Sequence, residues 1–189
     1  SEGAHGHTYV NYWMHNGFIN VNNEKMSKSL GNFFTLRDIF KKYDPQAVRY
    51  FFLQTHYRSP IEFSDDILQQ SANALMRVHD FMRRLGNYSS LQENAASGES
   101  ARAGVMELIA QTEHTFEEAM DDDFETPAAL AACFDFIKEI NKKIDASTLS
   151  QTSKEAVLNF IAKIDKVLGI FIPSHNDVID DGITVLIKQ

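Results

Sequence analysis

From Thr35 onward apolar residues recur at intervals of three and four, and this pattern limits the possible folds more than any other feature of the chain. Leu36, Ile39, Phe40 and Tyr43 fall on one face of a short helix. Asp44-Pro45 stops that helix and starts the next, Asp as N-cap and Pro at the first helical position; in it Ala47, Val48, Phe51, Phe52 and Thr55 share a face. Ser64 can cap a long third helix, with Leu68, Leu75, Val78, Met82 and Leu85 as its stripe and Gly86-Asn87 as its end. Residues 87–98 are small and polar and read as a linker. Three further helices follow. The first covers about 99–119, with Val105, Leu108, Ile109, Thr112 and Phe116 inward. The second is capped by Thr126 ahead of Pro127, with Leu130, Phe134, Ile137, Ile140 and Ile144 inward. The third covers about 153–168, with Val157, Phe160, Ile161, Ile164 and Leu168 inward, and ends at Gly169. Such stripes must bury against one another, and an antiparallel helical bundle is the natural solution.

The start of the chain has a different texture. Residues 8–21, TYVNYWMHNGFINV, are rich in β-branched and aromatic types and predict two short strands turning at Asn16-Gly17. Trp13 and the pair Phe33-Phe34 read most simply as core aromatics. Between strand and helix lies a polar loop, NNEKMSKSLGN, residues 22–32.

Composition removes several classes. With 189 residues and 43% hydrophobic content the chain can bury a sizeable core and is not disordered. It contains no run of eighteen apolar residues, so no membrane helix is expected, and its first residues are not a secretory signal. A single cysteine, Cys133, allows no internal disulfide and sits on an apolar helix face as a core thiol. The net charge of −8 is unevenly spread, +2 over residues 1–86 and −10 over residues 87–189. Basic side chains that could meet phosphate therefore lie mostly in the first half, among them Lys41, Lys42, Arg49, Arg58, Arg77, Arg83 and Arg84. Asp121, Asp122 and Asp123 read as loop charges that face water or favour the N-terminus of the following helix. His79 and His114 lie on or beside helical stripes with no second ligand at metal spacing, so no metal site is expected.

The loop is where chemistry is legible. Lys25 and Lys28, three apart and interleaved with Ser27 and Ser29, suit an anion with several oxygens, and Gly31 allows the backbone to bend. Such a loop can stabilise charge that shifts along a phosphate chain during reaction. On spacing alone a solvated loop remains the other reading.

The text KMSKS, residues 25–29, resembles the second signature loop of class I aminoacyl-tRNA synthetases. Residues 11–64, and AMDDDFETPAAL at residues 119–130, resemble the bacterial cysteinyl-tRNA synthetase family, and the resemblance covers nearly the whole chain. It implies ATP-dependent activation of cysteine and its transfer to tRNA(Cys), with magnesium accompanying ATP. It implies that Lys28 contacts the triphosphate with Lys25 behind it, as the catalytic pair. Met26, Ser27, Ser29 and Gly17 join them at ATP, and the backbone of His15, Asn16 and Gly17 approaches adenosine. Arg37, Lys41, Lys42 and Arg58 become candidate tRNA contacts, and the His56-Tyr57-Arg58 turn serves tRNA or a domain junction.

The implied fold is mainly α: an antiparallel helical bundle preceded by the last strand-and-loop piece of a Rossmann-like nucleotide-binding domain. The implied divisions are 1–32 for that domain, 33–63 for a stem-contact junction, 64–172 for the bundle and 173–189 for the start of a C-terminal region. The family also carries an H-x-G-H motif and a zinc site upstream of residue 1; His5-Gly6-His7 has the wrong spacing for the former, and no zinc ligand falls in this chain. Both ends read as cuts through a longer protein, so residues 1–189 alone are expected to be inactive. A cytoplasmic monomer is expected. A cysteine:amino-sugar ligase with the same motif, and a non-catalytic helical module that binds tRNA or protein, are the other readings.

Overall fold

The computed structural model describes residues 2–89 and 95–173. Its elements in order are α1 (Glu2–His5), β1 (Ile19–Val21), β2 (Glu24–Lys25), a 3-10 turn (Lys28–Leu30), α2 (Leu36–Ile39) and α3 (Pro45–Leu53). Then come β3 (Ile61–Glu62), α4 (Asp65–Asn87), α5 (Ala95–Asp121), α6 (Thr126–Asp145) and α7 (Gln151–Leu168). The mainly helical architecture is the expected one. The expectations for residues 90–94 and 174–189 lie outside the described residues.

Most caps form where the chemistry asks for them. Asp44 accepts from the Gln46 N–H at 2.6 Å, Ser64 from Ile67 at 3.2 Å, and Gly169 closes α7 at φ 63°. Others shift. The last helix starts earlier than 153: Ser150 caps it by accepting from Ser153 N–H at 3.1 Å. Thr126 lies inside α6, and its N-cap, Glu125, makes no side-chain cap bond. The supposed linker is shorter than expected, because 95–98 already belong to α5.

α2 is only four residues long, and of its expected face only Ile39 is buried, Leu36 and Phe40 remaining exposed. Past Ile39 the bonds tighten, Lys41 N–H to Asp38 carbonyl and Lys42 N–H to Ile39 carbonyl, because Pro45 forces residue 44 out of the helical region. In α3 the buried face is Gln46, Ala47, Val48, Tyr50 and Phe51, while Phe52 is exposed.

The strands differ most from expectation. Residues 8–18 form neither of the two expected strands, and the short α1 precedes them. The hairpin instead turns at Asn22-Asn23, with φ of 54° and 62°, a conformation that Asn tolerates. β1 pairs antiparallel with β2 (Asn20 opposite Lys25) and parallel with β3 (Ile19 opposite Ile61), in the order β2-β1-β3. β3 was not foreseen. Trp13 is 72% exposed and Phe33 and Phe34 about half exposed, so none is a core residue; the 8–18 segment forms no ladder, Trp13 stacks on His15 at 6.4 Å between ring centroids, and Phe34 meets Phe63 at 5.7 Å.

Two apolar clusters result. The larger gathers α4 to α7 around Leu75, Phe81, Phe136, Ile140, Ile161 and Leu168. The smaller joins Ile39, Val48, Phe51, Phe63 and Leu68 beneath the sheet. α3 serves both, Ala47 and Tyr50 toward the first and Val48 and Phe51 toward the second, and so fixes the sheet to the bundle.

Candidate functional site

The lysine loop is built from the hairpin outward. Lys25 ends β2, and its ammonium lies over the Phe18 ring, 3.7 Å from the centroid. Met26 is half-buried and its N–H donates to the Ile19 carbonyl at 2.8 Å, extending the ladder by one bond. Ser27 is extended; its hydroxyl accepts from Leu30 N–H at 3.3 Å and sits 3.0 Å from the Ser29 hydroxyl. The turn from Lys28 to Leu30 closes at Gly31, which holds φ 71°, a region where a β-carbon is strained.

Asn32 ties the loop shut: its carbonyl oxygen accepts from Ser27 N–H at 2.8 Å and its amide donates to the Lys25 carbonyl at 3.4 Å. Sequence reasoning missed Asn32, since an asparagine after glycine reads as turn punctuation. Lys28 stands 5.4 Å from the Phe33 ring centroid. Both lysines are exposed, and among the described residues neither pairs with a carboxylate. The loop thus presents two unneutralised ammonium groups, steadied by ring faces, beside two small hydroxyl residues.

Gly17 has a packing duty. Its N–H donates to the Tyr57 carbonyl at 2.7 Å, its carbonyl accepts from the Asn16 amide at 2.9 Å, and a β-carbon would run into the Ser59 carbonyl. It stands one residue before the Phe18 ring that carries Lys25. The expected tRNA contacts divide into two groups. Arg37, Lys41 and Lys42 are exposed on and after α2. Lys41 pairs with Asp38 at 2.8 Å, and this bond, with that from Thr35, holds the Asp38 carboxyl down to about 2. Lys42 lines a cleft of about 260 Å³ with Val21, Phe34, Tyr43 and Asp65.

Arg58 lies elsewhere, on the turn before β3, and pairs with Asp123 at 3.1 Å. Asp123 therefore does not simply face water, as its run of acids suggested: the Tyr57 hydroxyl also donates to it at 2.8 Å, and His56 bonds its carbonyl oxygen at 3.0 Å. Other expected phosphate-facing cations are committed inside the protein. Arg49 donates to the Leu168 and Val167 carbonyls, and Arg84 to Asn141 and Asp145.

His79 is packed against the Ile170 carbonyl, and burial is the main cause of its lowered pKa. Cys133 is buried, and that burial pushes its thiol up to about 12. Among the described residues no three His, Cys, Asp or Glu side chains gather as a metal site. No described helix is long and apolar enough to cross a membrane.

Two family models match this chain: the class I (C) tRNA synthetase catalytic domain over residues 1–73 and the DALR domain over residues 115–172. It is 41% identical over 175 residues to the cysteine–tRNA ligase of Trichlorobacter lovleyi, covering 90% of this chain and 36% of the relative. It is 40% identical to that of Shouchella clausii, covering 100% of this chain and 40% of the relative, and 48% identical over 142 residues to that of Nitrosomonas eutropha. The chain thus spans well under half the length of the relatives it matches. Among solved structures, a ternary complex of Agrobacterium radiobacter K84 agnB2 LeuRS with tRNA and LeuAMS shares the fold at TM-score 0.62 and 20% identity, over 91% of this chain and 22% of that one.

Proposed function

The chain belongs to the class I tRNA synthetases, and on that premise we propose that it works in a cysteine–tRNA ligase as the ATP-phosphate loop and the helical domain behind it. In the first step the cysteine carboxylate attacks the α-phosphorus of ATP, forming cysteinyl-adenylate and releasing pyrophosphate. In the second, the terminal hydroxyl of tRNA(Cys) takes the cysteinyl group and AMP leaves. Lys28 donates to the β- and γ-phosphate oxygens of magnesium-bound ATP, where negative charge grows as the α–β bridge breaks, and Lys25 supports it. Ser27, Ser29 and Met26 shape the loop, and Gly17 stands at the adenosine side. Arg37, Lys41 and Lys42, with Arg58, meet the tRNA backbone.

One observation carries the proposal: a turn presenting two exposed lysines without carboxylate partners, in a chain similar over as much as its whole length to cysteine–tRNA ligases. We divide the chain accordingly, at 1–32, 33–63, 64–172 and 173–189, and take the protein to act in the cytoplasm as a monomer.

In the full-length protein, Lys28→Ala should slow adenylate formation by about a hundredfold or more, as loss of a charge-stabilising donor does. The dissociation constant for cysteine should change less than about twofold, because the contact develops in the transition state. Rapid-quench measurement of adenylate with separate cysteine titration checks this; loss of cysteine affinity with unchanged kcat would sink the role of Lys28. Charging of tRNA(Cys), as against cysteinylation of an amino sugar, identifies the acceptor.

A further inference from the structure

We propose that Asp123, on the turn between α5 and α6, is a positioning residue for the lysine loop, fixing through the 56–59 turn and Gly17-Phe18 where the Lys25 ammonium sits. The inference rests on the nucleotide-loop reading above.

The geometry runs in contiguous steps. Asp123 and Phe124 hold φ of 55° and 59°, left-handed values that residues with a β-carbon seldom adopt. Side chains of the 56–58 turn grip this stretch. The Tyr57 hydroxyl donates to the Asp123 carboxylate at 2.8 Å, and Arg58 pairs with it at 3.1 Å. His56 Nδ1 accepts from the Arg58 N–H at 3.3 Å, which leaves Nε2 to carry the proton donated to the Asp123 carbonyl at 3.0 Å. Arg58 Nε donates to the Tyr57 hydroxyl at 2.9 Å and so braces the grip.

The backbone of the same turn holds the entrance to β1. The Tyr57 carbonyl accepts the Gly17 N–H, and the Ser59 backbone fills the space a β-carbon on Gly17 would need. Phe18 follows. Its carbonyl accepts the Ile61 N–H at 2.9 Å, and its ring carries Lys25 at 3.7 Å. Four consecutive residues thus hold the bundle on one side and the seat of Lys25 on the other. The α6 N-terminus makes no use of this carboxylate, since its N-cap is Glu125.

The test uses the full-length protein. Asp123→Gly removes the carboxylate while relieving the left-handed backbone, so the variant should fold; circular dichroism checks that. Its maximal rate of adenylate formation should fall about tenfold, within the range reported for residues that couple sites without touching ligand, with the KM for cysteine unchanged. Asp123→Asn keeps an acceptor for Tyr57 and tolerates the same φ, so it should recover most of the rate. Introduced into Lys25→Ala, Asp123→Gly should cost less than about a further twofold, because both changes remove one interaction. Losses that multiply in the double variant, or a lowered melting point with an unchanged rate, would overturn the inference alone. If neither Lys25→Ala nor Lys28→Ala alters the ATP-dependent step, the nucleotide-loop reading fails and this inference falls with it.

Discussion

Cys133 illustrates how a residue's surroundings decide its chemistry. It lies on the buried face of α6, 2% exposed, and that burial raises its thiol to about 12 from an ordinary 9.0. The thiolate is the nucleophile, so the native protein should react with thiol reagents at about pH 8 only as fast as it unfolds, and addition of denaturant should release one reactive thiol. The linkage has a definite sign. Above pH 9.0 the unfolded chain loses this proton and the native one keeps it, so the unfolded state binds fewer protons. Stability from this group therefore falls as pH rises between 9.0 and about 12, by at most about 1.4 kcal/mol per pH unit; a series of denaturant melts checks it. At this scale the loop lysines were legible, because residue type and spacing carry their chemistry. Asp123 was not, because nothing local shows that Tyr57 and Arg58 reach it.

Among the elements, the end of α7 shows how much one helix terminus can gather. Gly169 leaves the helix at φ 63°, and Arg49 from α3 donates to the carbonyls of Leu168 and Val167. The Gln46 amide donates to the Ile172 carbonyl at 2.6 Å, and the Asp165 carboxylate accepts the N–H groups of Ile170, Phe171 and Ile172. Orphan carbonyls and amides past the helix end thus find side-chain partners, as buried backbone must. Gly169→Ala imposes a left-handed alanine and brings a β-carbon within 3.0 Å of Arg49 Nε. A loss of about 1–2 kcal/mol is expected, read as a fall of several degrees in melting temperature. Caps at Asp44, Ser64 and Gly169 could be read in advance because each is complete within three or four residues. β3 could not, since a two-residue strand exists only by pairing with β1.

Across the molecule, two clusters of unequal size share α3. The larger, with Phe81, Phe136, Ile140 and Leu168 nearly inaccessible, should unfold only globally, whereas the short sheet above the smaller cluster rests on few bonds. Amide exchange should therefore be slowest in α4, α6 and α7 and markedly faster in β1 to β3; equal protection would mean that α3 couples the two clusters into one unit. What the sequence determined by itself was local: which faces of the helices are apolar, where most of them are capped, and that a polar loop carrying two lysines precedes them. Periodicity and capping are written within a few residues, and so survive reading one residue at a time. Only the tertiary structure decided that Asp123 meets the 56–58 turn some 65 residues away, that Arg49 closes α7, and that Trp13 stays outside the core. These depend on which surfaces packing brings face to face, and no short-range pattern records that.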